Sequence, residues 1–372
     1  MDLAHTEEQR MLRQAARLAL ARRCAPEQLA RTREAGGFDE TLWRQAVAMG
    51  WPAAIAPEPA GQGMTLEDAV VLLEECGRAL APIPLASALL AAWLIGRAGD
   101  EAQREELLPA IAAGEIVAVV AGPGRADNPA GPPLRADRDG HRWRLHGTAA
   151  LVRDAAVCRR LLCLARMNGA TRAVAVPADA AGVRLRPRRT VGALREATVR
   201  LEGAWFDDGG VLAAPLHRRD LADFQAVRAV LEAAELVGAC DAVLELTVSH
   251  ASSRVQFGRP IGSFQAVQHR MADMLADLDG CRWLLYRTAS ELAAGQDAAL
   301  LAAQLSLFTG QASRRLLASA HQVHGGVGFI REHPLPRYFG RQKAAELSFG
   351  HPDEHREWIA AALLDSEEVP AP

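Results

Sequence analysis

Up to residue 115, apolar side chains recur at helical spacing. Thr6 followed by Glu7 and Glu8 predicts a helix start, because the hydroxyl can accept from free amides and acids suit the positive helix end. Leu12, Ala15, Ala16 and Ala19 then share a face. A Gly/Pro-rich break at 50–63 precedes a second helical stretch, 64–80, with Val70, Val71, Leu73, Glu74 and Cys76 along it. Pro82 and Pro84 end that stretch, and helices continue to about 114. From Ile116 to about His217 the period shortens to β-type runs at 116–121, 143–145, 161–164, 173–176 and 199–206. The breakers Asp139-Gly140, Asn168-Gly169 and Asp208-Gly209-Gly210 punctuate them. Strands this close, with no helices between, predict an antiparallel barrel or sandwich rather than a βαβ sheet. After Pro215 the helical period returns on three long faces. These are Phe224, Val227, Leu231, Ala234 and Gly238; Val267, Met271, Met274, Leu275 and Leu278; and Leu301, Leu305, Phe308, Ala312 and Leu316. They predict a four-helix bundle. The expected fold is α+β, mainly α, with an N-terminal helical domain (1–115), a middle antiparallel β-barrel or sandwich domain (116–218) and a C-terminal four-helix bundle (219–372).

Composition narrows the function. Of the 372 residues, 49% are hydrophobic and 23% charged, as in soluble globular chains. The net charge of −3, from 42 basic and 45 acidic residues, lacks the basic excess of a nucleic-acid binder. The one basic cluster, Arg184, Arg186, Arg188 and Arg189, reads either as a solvated edge or as a contact for a phosphate-bearing ligand. No 18-residue apolar run predicts a membrane span, and the N-terminus lacks the apolar core of a secretion signal. Six scattered cysteines with no C-x-x-C pair argue against a zinc ribbon or disulfide framework. They suit a reducing compartment, so a cytoplasmic protein is expected.

Two stretches carry candidate chemistry. Residues 254–265 read RVQFGRPIGSFQ, where one long helix gives way to the next. Gly258 and Gly262 permit close backbone approach, Arg254 can grip a pyrophosphate as a charged fork, and Gln265 can bond an adenine or ribose edge. The plainer reading is a helix–helix turn with an exposed arginine. Residues 322–329 read QVHGGVGF. Their glycines expose backbone amides able to cradle a phosphate, or else simply cap the preceding helix. The His351/His355 and His321/His324 pairs have no evident third ligand, so no metal site is expected.

In this order and spacing, the two stretches resemble the acyl-CoA dehydrogenase family, as do Met49-Gly50-Trp51, the 74–80 segment EECGRAL and the entry to the β-region at 107–115. The resemblance covers nearly the whole chain. It implies a flavoprotein enzyme that oxidises an acyl-CoA thioester across Cα–Cβ with FAD and passes electrons to an electron-transfer flavoprotein. It further implies that Arg254, Phe257, Gln265 and the backbone at Gln322, Gly325 and Gly326 contact FAD held mainly by a neighbouring, homologous subunit in a tetramer.

The resemblance fails at the base. The family's usual glutamate, placed just before a Gly-Thr, is Phe349 here, within KAAELSFGH (343–351). The alternative position on the first bundle helix is Arg228, which leaves Glu232, one turn later, as the candidate base, with Glu235 beyond it and Glu346 a weaker choice. The flavin-contacting segments of the β-domain are also replaced, by residues 121–131 and by TAALVR at 148–153. Three functional classes therefore remain open: an acyl-CoA dehydrogenase acting alone or as half of a heteromer, a non-catalytic partner subunit of an α2β2 assembly, and a flavin oxidase or monooxygenase.

Overall fold

In a computed structural model that describes residues 5–121, 134–140 and 142–364, the chain begins with six helices. These are α1 (Glu7–Arg23), α2 (Pro26–Glu34), α3 (Glu40–Ala48), α4 (Leu66–Arg78), α5 (Leu85–Ala98) and α6 (Glu101–Ala112). Thr6 caps α1 as its sequence predicts. Its hydroxyl accepts from the Gln9 amide while the Gln9 side chain accepts from the Thr6 amide, so two end donors are satisfied at once. Thr65 and Asp68 do the same for α4. Helices α4 and α5 are buried over most of their length in the centre of the core; α5 is apolar almost all round, whereas α4 also buries Glu74 and Glu75.

Seven strands follow: β1 (Val117–Val120), β2 (Leu134–Asp139), β3 (Arg142–Val152), β4 (Arg160–Met167), β5 (Ala170–Pro177), β6 (Val183–Pro187) and β7 (Ala197–Asp207). One edge of β4 pairs with β5. The other edge is shared end to end by β1 and β2, and the sheet continues β2–β3–β7–β6. The expected antiparallel pattern holds at β2·β3, β3·β7, β4·β5 and β6·β7, but β1·β4 and β2·β4 are parallel. Alternation reports which face a side chain takes and is silent about which strand lies beside it. Along β4, Leu161 and Cys163 enter the core of the β-domain, whereas Leu162 and Leu164 join the helical core. This strand is thus buried on both faces and welds the two units together.

The C-terminal unit comprises α7 (Arg218–Ser253), α8 (Gln265–Ala293), α9 (Ala299–His324), α10 (Leu335–Ser348) and α11 (Pro352–Leu364). A short hairpin, β8 (Val255–Gln256) with β9 (Arg259–Pro260), joins α7 to α8. The predicted face of α7, from Phe224 to Gly238, is buried throughout. The other two faces need correction, because Leu275 and Phe308 turn outward and only their neighbours Met274, Leu278, Leu305, Ala312 and Leu316 are buried. Where α4 crosses α7, each presents a glycine to the other's backbone. A Cβ on Gly77 would land on the Glu235 carbonyl, and one on Gly238 on the Glu74 carbonyl. That crossing sets where the acidic side chains of α7 can reach.

Candidate functional site

Arg254 caps the C-terminus of α7, and its exposed guanidinium makes no ion pair among the described residues. The β8–β9 hairpin beyond it carries Phe257 and Gly258 at its tip, with φ of +53° and +79°. Phe257 is 92% exposed and touches Phe264 edge-on, at 6.1 Å between ring centroids. Gln265 opens α8 and is also exposed. At the end of α9, Gln322, Gly325 and Gly326 face solvent, and a Cβ at either glycine would meet open space. Gly325 takes φ +61° and ψ −143°, which glycine adopts without penalty. The stacked rings of His250, in the last turn of α7, and His324, in the last turn of α9, lie 4.4 Å apart. That contact brings both predicted stretches to one end of the bundle. The Gly325 amide donates to the His321 carbonyl, whereas Gly326 is exposed and Arg254 makes no ion pair among the described residues. An unpaired guanidinium at the same bundle end as an exposed glycine turn is an arrangement that accepts a polyanion, and the residues present fit the diphosphate half of a dinucleotide.

The acidic candidates lie elsewhere on α7 and α10. Glu232 accepts a hydrogen bond from Ser348 Oγ at 2.8 Å, and Arg228 donates to the Ser348 carbonyl at 3.4 Å. The α7 carboxylate therefore reaches the end of α10, one residue from Phe349. Phe349 itself is buried against α9. Glu235 is occupied by Arg153, whose Nη2 donates to both carboxylate oxygens at 2.7 and 2.6 Å. Burial would lower the Arg153 pKa, but Glu235 and Asp154 outweigh it and hold the guanidinium charged. Glu346 is held by Lys343 Nζ at 2.6 Å and Gln342 Nε2 at 2.8 Å. Burial pushes its carboxyl up, yet Lys343, Gln342 and Arg314 more than offset this and keep it below the usual range. A carboxylate stabilised in that way makes a poor base.

A cavity of about 350 Å³ opens beside Phe349, lined among others by Gly310, Arg314, Glu346, His351 and His355. His355 Nε2 lies 2.6 Å from the Phe349 carbonyl oxygen, the geometry of a donated hydrogen bond. Among the described residues no group of three or more His, Cys, Asp or Glu side chains is arranged so that it could hold a metal ion. The basic cluster lies on edge strand β6 and beyond its end, where Arg184 pairs with Glu202 and Arg188 donates to Thr198, in line with a solvated edge. Of the replaced β-domain segments, 122–131 lies outside the described residues. The 148–153 segment ends β3 and turns Arg153 inward onto α7.

Sequence reasoning missed the ionic junction around Arg153. Asp154, fully buried, accepts from Arg195 Nε and Ser87 Oγ, both at 2.6 Å. Arg195 also donates to the carbonyls of Gly37 and Ile83. Arg341 joins from α10; burial pushes its pKa down to about 10, with Glu235 opposing and Arg195 and Arg153 adding repulsion. Partners separated by 41 to 158 positions leave no periodic trace in the chain.

The chain matches the acyl-CoA dehydrogenase N-terminal domain over residues 6–115 and the acyl-CoA dehydrogenase C-terminal domain over 218–364. The acyl-CoA dehydrogenase IpdE2 of Mycolicibacterium smegmatis is 30% identical over 365 residues, 96% of this chain and 100% of that protein. The chain belongs to the acyl-CoA dehydrogenase family. Within the family, acyl-CoA dehydrogenase FadE27 of Mycobacterium tuberculosis is 31% identical over 84% of this chain and 85% of its own. The ChsE4-ChsE5 complex from Mycobacterium tuberculosis superposes with a TM-score of 0.91 at 28% identity, covering 100% of both chains.

Proposed function

We propose that this family member is an FAD-associated subunit of an acyl-CoA dehydrogenase. In this reading it grips the nucleotide half of FAD through Arg254, Phe257 and Gln265 and the backbone at Gln322, Gly325 and Gly326. The observation that carries the reading is the His250–His324 contact, which brings the Arg254 stretch and the exposed glycine turn to one bundle end, with the Arg254 guanidinium unpaired among the described residues. FAD, when bound, supplies the acceptor for the β hydrogen of the acyl-CoA. Glu232, held by Ser348 at the end of α10, is the carboxylate that this chain offers for the α proton. Electrons then pass to an electron-transfer flavoprotein in the cytoplasm.

A second reading has its own support. With Phe349 in the usual base position and Arg153 tied to Glu235, the base and the flavin ring site belong to a homologous partner subunit, and this chain completes the nucleotide end. The relative whose title names a ChsE4-ChsE5 complex supports such a pairing.

Purifying the chain alone and with a co-expressed homologous subunit, adding FAD and titrating anaerobically with acyl-CoA thioesters tests both readings. Flavin absorbance that bleaches with the chain alone supports the first. Bleaching that requires the partner supports the second. Absence of flavin from both preparations refutes both.

A further inference from the structure

Four histidines meet beneath the glycine-rich loop at the end of α9. His324 is 5% exposed, and neither of its ring nitrogens has a hydrogen-bond partner; Nδ1 of His321 is buried and unpaired as well. His250 stacks on His324 at 4.4 Å, and His333, from the segment before α10, approaches it edge-on at 4.8 Å. His321 lies against Phe329 at 4.7 Å and against Phe339 at 5.6 Å. The loop rests directly on two of these rings. A Cβ on Gly328 would come within 3.0 Å of His324 Cβ and 3.4 Å of His321 Nδ1.

We propose that this histidine cluster is a proton-sensitive seat for residues 325–329, holding the loop closed while the rings are neutral and loosening it as they protonate. Stacked imidazoles pack as neutral aromatic plates; a ring that protonates there loses hydration to burial and repels Arg254 and any second protonated ring. Among the described residues the charged and titratable groups that act on the cluster are its own members and Arg254, from the end of α7, with no carboxylate to offset them. His333 has a further reason to stay neutral, because its Nδ1 accepts from the Leu335 amide at 3.2 Å and so ties the loop to the start of α10. Burial, the largest cause for each, holds all four below the usual histidine value. His324 falls to about 4, with His250, His333 and His321 adding repulsion.

The direction of the effect follows. A pKa depressed in the closed loop means that the open loop binds more protons between the two values. The closed state is therefore fully favoured above the ordinary histidine value of about 6.5 and weakens as pH falls from there toward 4. With an open value of about 6.5 and a closed one of about 4, His324 alone makes the loop about tenfold less protected at pH 5.5 than at 7.5.

The test is hydrogen exchange of the intact chain at pH 7.5 and 5.5, corrected for the intrinsic pH dependence of exchange. About tenfold loss of protection confined to 325–329 is expected, together with its disappearance in His324→Phe, which keeps a ring and cannot protonate. His250→Phe removes one repulsive neighbour and gives a smaller loss, so it serves if His324→Phe does not fold. A loop whose protection does not change with pH, or changes equally in both variants, overturns the proposal. The consequence for cofactor release rests on the nucleotide-gripping reading, whereas the exchange measurement does not. Loosening at pH 5.5 with undiminished flavin retention refutes that reading and leaves this one standing.

Discussion

Glu232, Glu235 and Glu346 are three carboxylates near the α7–α10 contact, and their partners give them different chemistry. Arg153 Nη2 donates to both oxygens of Glu235 and Lys343 neutralises Glu346, whereas the hydrogen bond to Glu232 among the described residues comes from a neutral serine hydroxyl, with Arg153 attracting it at longer range. Glu232→Gln is expected to lower acyl-CoA-dependent flavin bleaching by about 10²–10⁴-fold while flavin stays bound. Unchanged bleaching in stopped-flow traces would assign the base to a partner. Asp154 makes a second residue-scale case. Burial raises its pKa, but Arg195, Arg153 and Ser87 prevail and hold it below the usual range. Its stabilising contribution is thus present above about pH 4 and lost as pH falls through its folded value. Asp154→Ala leaves Arg195 buried without its carboxylate and is expected to cost about 3–5 kcal/mol in urea unfolding. A loss under about 1 kcal/mol would mean that water reaches the junction.

Elements were legible where a period is written into the chain. Thr6 marked a helix start through a local hydrogen bond, and the α7 face from Phe224 to Gly238 followed directly from helical spacing. Leu275 and Phe308 share that spacing and are nevertheless exposed, because a hydrophobic period defines a stripe without saying how wide a neighbour covers it. Likewise, the parallel pairing of β4 with β1 and β2 depends on which strands lie adjacent. The α4–α7 crossing is also invisible in one helix alone, since Gly77 and Gly238 each accommodate the other's backbone. Gly238→Ala is expected to destabilise by about 1–3 kcal/mol through overpacking, measured as a lower denaturation midpoint. Gly96, where a Cβ would meet open space, provides the control: Gly96→Ala should leave the midpoint unchanged or raise it slightly.

At the scale of the molecule, the end that carries Arg254 and the glycine turn and the acidic α7–α10 contact lie on different parts of the same bundle, so the proposed nucleotide grip and proton removal can be tested separately. Arg254→Ala in the co-expressed complex is expected to weaken flavin retention during gel filtration, with the thermal midpoint unchanged, because its exposed side chain makes no hydrogen bond or ion pair among the described residues. Full retention would remove Arg254 from the grip. Trp283 on α8, with the outward-turned Leu275 and Phe308, leaves apolar side chains exposed. Trp283→Glu is expected to shift the assembly toward smaller species by light scattering, and an unchanged mass would place the subunit interface elsewhere.

The sequence by itself determined the order of helical, strand and helical regions, the helix start at Thr6, the two glycine-bearing stretches at 254–265 and 322–329, and a phenylalanine rather than a carboxylate at 349. Each of these is a matter of residue identity or of spacing within one element. The tertiary structure alone decided that Arg254 and the Gly325–Gly326 turn share one end of the bundle, that Glu232 meets Ser348, and that four histidines from three segments gather under one loop. Burial and electrostatics act through space between residues far apart in the chain, and no local pattern records such neighbours.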